Sequence, residues 1–393
     1  MNFPRFAAHV AAAAIGATVA LSSTAVLAAD EIKVGLILPV TGPFSYMGRQ
    51  IKAGVSLYLA EQGDTVAGRK VQVLVKDDAG VPDTSRRLAQ ELVVAEKVTV
   101  LAGFGLTPQA FAVAPVATQS KTPMVVMQAA TSSVTEKSPY VVRTSMTLPQ
   151  VTVGVADWAA KNKIGKVITL VSDYAPGIDA ETAFKSRFSA KGGQVVETLR
   201  MPMTANDFSP YLQRVRDAKP EAVFVFLPAG TSAALFMKQF SERGLDKAGI
   251  RLLGTGDIVD DDVLADMGDV ALGVITSHHY SAAHPSAMNR KFVEGIGKAN
   301  NGMRPNFMAV AGYDGMRVIM EALKATQGAG GEAMVNAMKG LHFESPRGPV
   351  LIDAQTRDIV QDVYIRKVER VAGKLYNMEF DVEKSVKDPG KSK

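Results

Sequence analysis

The sequence predicts an α/β protein made of two doubly wound lobes with parallel sheets, and three observations carry that prediction. Short apolar runs alternate with amphipathic segments from Glu31 onward, the order that packs helices on both faces of a parallel sheet. Setting aside an N-terminal export signal leaves 364 of the 393 residues, which favours two or three domains over one. Cysteine is absent, so an exported chain of this kind must hold together by core burial, for which that length suffices.

The first run, Ile32-Lys33-Val34-Gly35-Leu36-Ile37-Leu38, is short, apolar and followed by Pro39 and a Gly/Pro turn, as a buried parallel strand is. Over 48–62, Ile51, Val55, Tyr58 and Leu59 share one helical face, and Gly63 stops the helix. A strand is predicted over 71–75 and a helix over 83–96 with Asp83 as its N-cap. Strand 98–101, helix 108–120 and strand 124–127 repeat the theme. A second series starts near Pro149, with strands over 167–171, 195–199, 222–227 and 251–253. Helices are predicted among them over 151–161, 179–190, 208–217 and 232–243. After Val274-Ile275-Thr276, helices over 285–299, 307–326 and 332–338 lead to strands at 349–352, 360–367 and 374–380. The hairpin-like spacing of these last strands suggests edge strands or crossovers between lobes. Residues 384–393 are polar, and disorder is expected there.

Residues 1–29 read as a cleavable export signal. Arg5 is the only Lys, Arg, Asp or Glu before Asp30, an apolar run spans 10–27, and Val26-Leu27-Ala28 offers a signal-peptidase site. Polar breaks at Ser22, Ser23 and Thr24 separate it from a retained anchor, which needs about 20 strongly apolar residues. Removing the signal takes one basic residue from the 44 of the whole chain, so against 39 acidic residues the mature balance is +4. The basic residues are scattered without a stripe of interleaved aromatics, so nucleic acid is not an expected partner. With no cysteine to carry a lipid anchor, the exported chain would diffuse away unless an outer membrane retained it, so a periplasm is the expected location.

Catalytic signatures are missing. Cysteine nucleophiles are excluded, and there is no G-x-S-x-G elbow, no G-x-x-x-x-G-K-[ST] loop and no H-E-x-x-H pair. Gly103-Phe104-Gly105 begins like a dinucleotide fingerprint but lacks its third glycine and downstream spacing. His278-His279 and His284 resemble a metal cluster, yet adjacent residues on a strand point to opposite faces, so a polar strand end leading to a hinge is favoured. Asp260-Asp261-Asp262 is read as an acidic helix start that complements the macrodipole, with metal binding second. No cofactor, metal or catalytic residue is expected.

Ile32 to Pro39 followed by Thr41-Gly42-Pro43-Phe44-Ser45-Tyr46-Met47-Gly48 resembles the branched-chain amino-acid (Leu/Ile/Val) type of periplasmic solute-binding protein. Further markers are Val75-Lys76-Asp77-Asp78-Ala79, Ala129-Ala130-Thr131-Ser132, Val142-Arg143-Thr144, Ser172-Asp173-Tyr174 and Gly254-Thr255-Gly256-Asp257. Each is short, and their order and spacing across the mature chain give the resemblance its weight. It implies a type I periplasmic binding fold: two Rossmann-like lobes joined by three hinge crossings near 148–150, 278–281 and 351–354. The N-terminal lobe would combine 30–148 with 281–351 and the C-terminal lobe 149–280 with 352–383. It further implies a monomer that captures a small organic solute by clamshell closure and docks on inner-membrane ABC permease subunits. A sensor of the same fold feeding a signalling partner is the alternative.

Ligands of open parallel sheets bind beyond the carboxyl ends of strands, where free N–H groups and positive dipole ends gather. Tyr46 and Met47, Leu106 and Thr107, Gln128, Ala129 and Thr131, Tyr174, Pro228 and Ala229, and Asp257 occupy such loops and are the candidate ligand-binding residues. Thr107 and Thr131 could hold a carboxylate without any Arg; Thr131 is the first choice, against a role as N-cap. Tyr46 and Tyr174 either wall the pocket or cover a loop. In amino-acid-binding relatives an acid matching Asp257 receives the ligand ammonium; capping the next helix is its other reading. Leu106 falls where those relatives usually carry a hydroxyl, which would leave an amino acid's carboxylate under-satisfied by roughly 1–3 kcal/mol. An aromatic or other hydrophobic acid is therefore favoured over an aliphatic amino acid. Phe104 and Phe111 are assigned to the core. Gly80 and Gly105 stand where some relatives carry a disulfide-forming pair, a departure that bears on the Leu106–Thr107 loop.

Overall fold

The computed structural model describes residues 1, 2 and 31–391, so the apolar run of the expected export signal lies outside the described residues. The first series runs β1 (Ile32–Leu38), α1 (Ser45–Gln62), β2 (Thr65–Val66), β3 (Arg69–Asp77), α2 (Pro82–Val94), β4 (Val100–Gly103), α3 (Thr107–Ser120), β5 (Met124–Val126) and β6 (Val141–Arg143). Its strands form one sheet in the order β2-β3-β1-β4-β5-β6, parallel throughout except for the β2–β3 pair. β1 lies between β3 and β4, with Val34 level with both Val73 and Val100, so apolar side chains are needed on both of its faces.

The second series runs α4 (Leu148–Lys161), β7 (Lys166–Ser172), α5 (Ala175–Ala190), β8 (Gln194–Met201), α6 (Ser209–Ala218), β9 (Ala222–Phe226), α7 (Thr231–Glu242), β10 (Arg251–Thr255), α8 (Leu264–Met267) and β11 (Ile275–His278). Then come α9 (Ala287–Ala299), α10 (Phe307–Ala325), α11 (Gly331–Met338), β12 (His342–Ser345), β13 (Gly348–Ile352), β14 (Ile359–Val371) and β15 (Lys374–Val386). The second sheet has the order β12-β13-β14-β11-β10-β9-β7-β8, with β15 paired to β14. β7 to β11 are parallel, and β14 enters antiparallel beside β11. The predicted α/β class with two mostly parallel sheets is what the chain adopts.

α9 and α10 return to the first sheet and pack on α1. Gly54 of α1 faces Ala309 of α10 and Gly312 faces Ile51; neither site has room for a Cβ, and the helices cross at backbone contact. Trp158, the one tryptophan of the sequence, sits at the far end of α4 in a surface hollow shared with Met378 and Phe380.

Several expectations are corrected. Residues 342–351, expected with the first lobe, pair within the second sheet through β13 and β14. The polar end is ordered as far as it is described: β15 runs to Val386, and Asp388 accepts a hydrogen bond from the Ser132 hydroxyl at 3.1 Å. Lys391 pairs with Asp358. Backbone pairing with β14 holds this segment whatever its side chains. Asp83 lies in the first turn of α2, whose N-cap is Val81 with Pro82 following. The acidic run is no solvated helix start. Asp260 and Asp261 are buried, Asp260 accepting from Asn306 Nδ2 at 3.0 Å and Asp261 from Asn377 Nδ2 at 3.1 Å. His278 ends β11, so strand alternation stops there and the rings of His278 and His279 stack with centroids 4.5 Å apart. Among the described residues no group of His, Cys, Asp and Glu could hold a metal ion, and no helix is long and apolar enough to cross a membrane.

Candidate functional site

Five strands of the two sheets end at one interlobe cavity. In the first sheet, β4 leads through Phe104 and Gly105 into α3, whose first turn begins at Thr107, and β5 leads into the loop before Ser132. Neither Leu106, the N-cap of α3, nor Thr131, the N-cap of the following 3-10 turn, makes a side-chain cap. The amide donors of these turns are therefore not used up by their own caps. Instead the Thr107 hydroxyl reaches Thr131 Oγ1 at 3.3 Å and accepts from the Thr131 amide at 3.4 Å, tying the two loops together.

A buried guanidinium stands behind this pair. Arg143, at the end of β6, has no exposed surface. It donates to the carbonyls of Ala129 at 3.1 Å, Thr131 at 2.7 Å and Ser132 at 3.3 Å. Asp358 balances its charge through a 2.7 Å bond to Nε and a 2.6 Å contact to Nη2. Gripping three carbonyls from behind fixes the loop that carries Thr131.

The second sheet supplies the facing wall. Tyr174 precedes α5 and stacks on Phe226, the last residue of β9, with centroids 6.1 Å apart. Burial raises the Tyr174 phenol above its ordinary range, with Asp257 adding to the effect, so it faces the cavity as a neutral hydroxyl. Asp257 follows β10; its Oδ2 accepts from the Thr255 hydroxyl at 2.7 Å and lies 3.6 Å from His278 Nε2.

The gap between these walls is narrow, with room for about one water molecule. Met47, Leu106, Thr107, Gln128 and Ala129 line it from the first lobe and Tyr174, Pro228 and Asp257 from the second, so eight of the sequence-predicted residues meet there. Tyr46 and Ala229 line a neighbouring hollow that shares Pro228 with it. Thr131 lies behind Thr107 and touches the site through that hydroxyl. Gly105, Ala130, Met146, Leu148, Pro176 and Phe226 also line the cavity and were missed from sequence. For Phe226 and Pro176 the signal existed, since one ends a strand and the other opens a helix.

Two polar atoms at this junction are buried without a hydrogen-bond partner, Gln128 Oε1 and Tyr46 Oη. Burial raises the Tyr46 phenol, and Asp260, Tyr174 and Asp257 raise it further. Tyr46 lies against Gly230, where a Cβ would stand 2.8 Å from its ring. Arg49 of α1 reaches Asp262 at 2.7 Å, and the Ser132 amide reaches Asp179 of α5 at 3.0 Å, so the lobes meet around the cavity. Phe104 is fully buried in the core beneath α3, and Phe111 packs at its edge, as expected.

The comparisons with known proteins agree with this geometry. The model of the periplasmic binding protein family matches residues 31–374. The Leu/Ile/Val-binding protein homolog 6 of Brucella melitensis biotype 1 is 47% identical over 366 residues, covering 92% of this chain and 94% of the relative. The structure of an ABC-transporter solute-binding protein from Rhodopseudomonas palustris BisB5, in complex with 3,4-dihydroxybenzoic acid, is 58% identical with a TM-score of 0.90. That match covers 92% of this chain and 99% of the other. A solute-binding protein from Rhodopseudomonas palustris HaA2, in complex with p-hydroxybenzoic acid, is 44% identical with a TM-score of 0.90, covering 92% and 100%. The family supplies substrate-binding components of transport systems and implies a periplasmic location. The chain thus belongs to the periplasmic binding protein family, as the solute-binding component of an ABC transporter of the branched-chain amino-acid type.

Proposed function

We propose that this protein captures a small aromatic carboxylate for import, holding it flat in the interlobe cavity. The observation that carries the reading is the cavity itself. It is narrow, walled by Met47, Leu106, Tyr174 and Phe226, and has hydroxyls at Thr107 on one lobe and a carboxylate at Asp257 on the other. A flat apolar body with one anionic end suits that slot: the anion meets the helix N-terminus and the threonines, and the ring meets the sulfur and aromatic faces. The aromatic acids bound by the two Rhodopseudomonas relatives support the same choice.

In this reading the ligand enters an open form on one lobe, and closure adds the contacts of the other. The ligand favours closure only by those added contacts. The closed form docks on an inner-membrane permease and releases the solute unchanged. The mature chain reaches the periplasm through the cleaved signal of residues 1–29.

Asp257 favours a second reading, an aliphatic α-amino acid whose ammonium it would receive. A thermal-shift comparison of 4-hydroxybenzoate, 3,4-dihydroxybenzoate, benzoate and leucine separates the two. Ligand at 100 times its dissociation constant adds about 2.7 kcal/mol of stability. Stabilisation by the aromatic acids and not by leucine is expected; the reverse pattern would transfer the assignment to amino acids.

A further inference from the structure

Asp257 is nearly buried at the wall of this cavity, yet its bonding is half complete. The Thr255 hydroxyl donates to Oδ2 at 2.7 Å, and among the described residues no hydrogen bond reaches Oδ1. The guanidinium packed against Gly256 is committed elsewhere: Arg366 donates to Thr276 Oγ1 at 3.3 Å and 3.2 Å and to the Tyr280 carbonyl. Gly256 is packed by His278 and Arg366 where a Cβ would stand, which fixes the turn that presents Asp257.

His278 completes the surroundings. Its ring is fully buried, stacked on His279 and tilted 4.4 Å from Phe307, and neither ring nitrogen has a hydrogen-bond partner. Its Nε2 stands 3.6 Å from Asp257 Oδ2. Burial keeps this imidazole neutral, pulling its pKa down to about 4 despite Asp257. A neutral ring here can orient Asp257 without neutralising it.

An aromatic acid entering this cavity must turn its own carboxylate away from Asp257, since like charges repel. Its opposite edge then meets Asp257. A bare C–H edge would leave a desolvated acceptor unpaired, whereas a ring hydroxyl would donate to it. We propose that Asp257, positioned by His278, accepts a hydrogen bond from a ring hydroxyl, so that the site selects hydroxylated benzoates over benzoate. The inference rests on the aromatic-acid reading and specifies which members of that class the site takes.

The test is calorimetric titration of the mature chain with benzoate and 4-hydroxybenzoate, in the wild type, Asp257→Leu, Asp257→Asn and His278→Gln. Expected is a roughly ten- to hundredfold preference of the wild type for 4-hydroxybenzoate. Asp257→Leu should bring the ratio near one. Asp257→Asn, which still offers an acceptor, should shrink the ratio several-fold and carries the test if the Leu variant does not fold. His278→Gln should reduce the ratio through 4-hydroxybenzoate alone, which a general loss of packing would not do. Equal binding of the two acids by the wild type, or a ratio unchanged in both Asp257 variants, overturns the inference. A ratio unchanged in His278→Gln removes His278 from it. If neither acid binds at all, the aromatic reading has failed, an outcome distinct from equal binding.

Discussion

Arg347 Nη2 and Asp314 Oδ2 lie 2.7 Å apart with neither side chain exposed. The same guanidinium donates to the carbonyls of Thr144 at 2.6 Å and Ser145 at 3.0 Å and to Gln361 Oε1 at 2.8 Å. One side chain thus joins α10, the exit of the first sheet and β14 of the second. Truncating one partner strands the other's charge in the interior. Asp314→Ala should cost about 3–5 kcal/mol of unfolding free energy. Chemical denaturation checks this, and a loss below about 1 kcal/mol would mean the pair is not fixing the crossing.

Gly230 has φ +97° and ψ −148°, a combination that disfavours any side chain, and the Tyr46 ring of the opposite lobe covers it. Gly230→Ala adds backbone strain of about 1–3 kcal/mol and a clash at the junction of the lobes. Ligand affinity should fall roughly tenfold or more. Adding Tyr46→Ala should recover the part due to the clash and not the part due to φ, as titration calorimetry would resolve.

His278 links stability to acidity. Unfolded histidine protonates near pH 6.5, whereas burial holds the folded ring neutral down to about 4, with Asp257 opposing and Arg366 and Arg347 reinforcing the effect. Between these values the unfolded state binds the extra proton, so the stability His278 contributes is complete above pH 6.5 and falls as pH drops towards 4. Its loss approaches roughly 3 kcal/mol below pH 4. His278→Gln should make the curve of unfolding free energy against pH shallower across this window, the remaining slope belonging to His279, whose buried ring is also held below its ordinary value. An unchanged slope would place the ionisation elsewhere.

Asp77 acts in a different window. Burial alone would raise its carboxyl, but the Thr41 hydroxyl and the amides of Ala79, Val40 and Thr41 outweigh it and bring the pKa to about 2. A depressed folded value contributes stability above the unfolded pKa near 4, lost as pH falls through 2. Asp77→Asn should lower stability at neutral pH and remove that acid slope, because the bracket pins the turn leading to Tyr46 and Met47. Equal acid titrations of variant and wild type would rule this out.

The sequence revealed most of the fold because its strands are apolar on both faces. The runs at 32–38, 167–171 and 222–227 needed no partner to be recognised, and each became a strand. β6 was missed because its three residues carry no period and end in Arg143, a charge that reads as surface until Asp358 is brought to it from 215 residues away. The same blindness made Asp260 and Asp261 read as a helix start: their amide partners, Asn306 and Asn377, lie on distant elements. Site loops were legible because they follow strand ends, a local rule. Met146 and Leu148 were not, because they enter the cavity from the stretch after the unrecognised β6.

Trp158 sits on α4 in a hollow with Met378 and Phe380 and does not line the cavity, whereas Tyr174 lines it and Tyr46 lines the adjoining hollow. Intrinsic fluorescence therefore divides into two reporters. Tryptophan emission follows the integrity of the second sheet and should stay nearly silent when solute is captured, while tyrosine emission registers occupancy. A titration followed only at the tryptophan band would miss a tight complex.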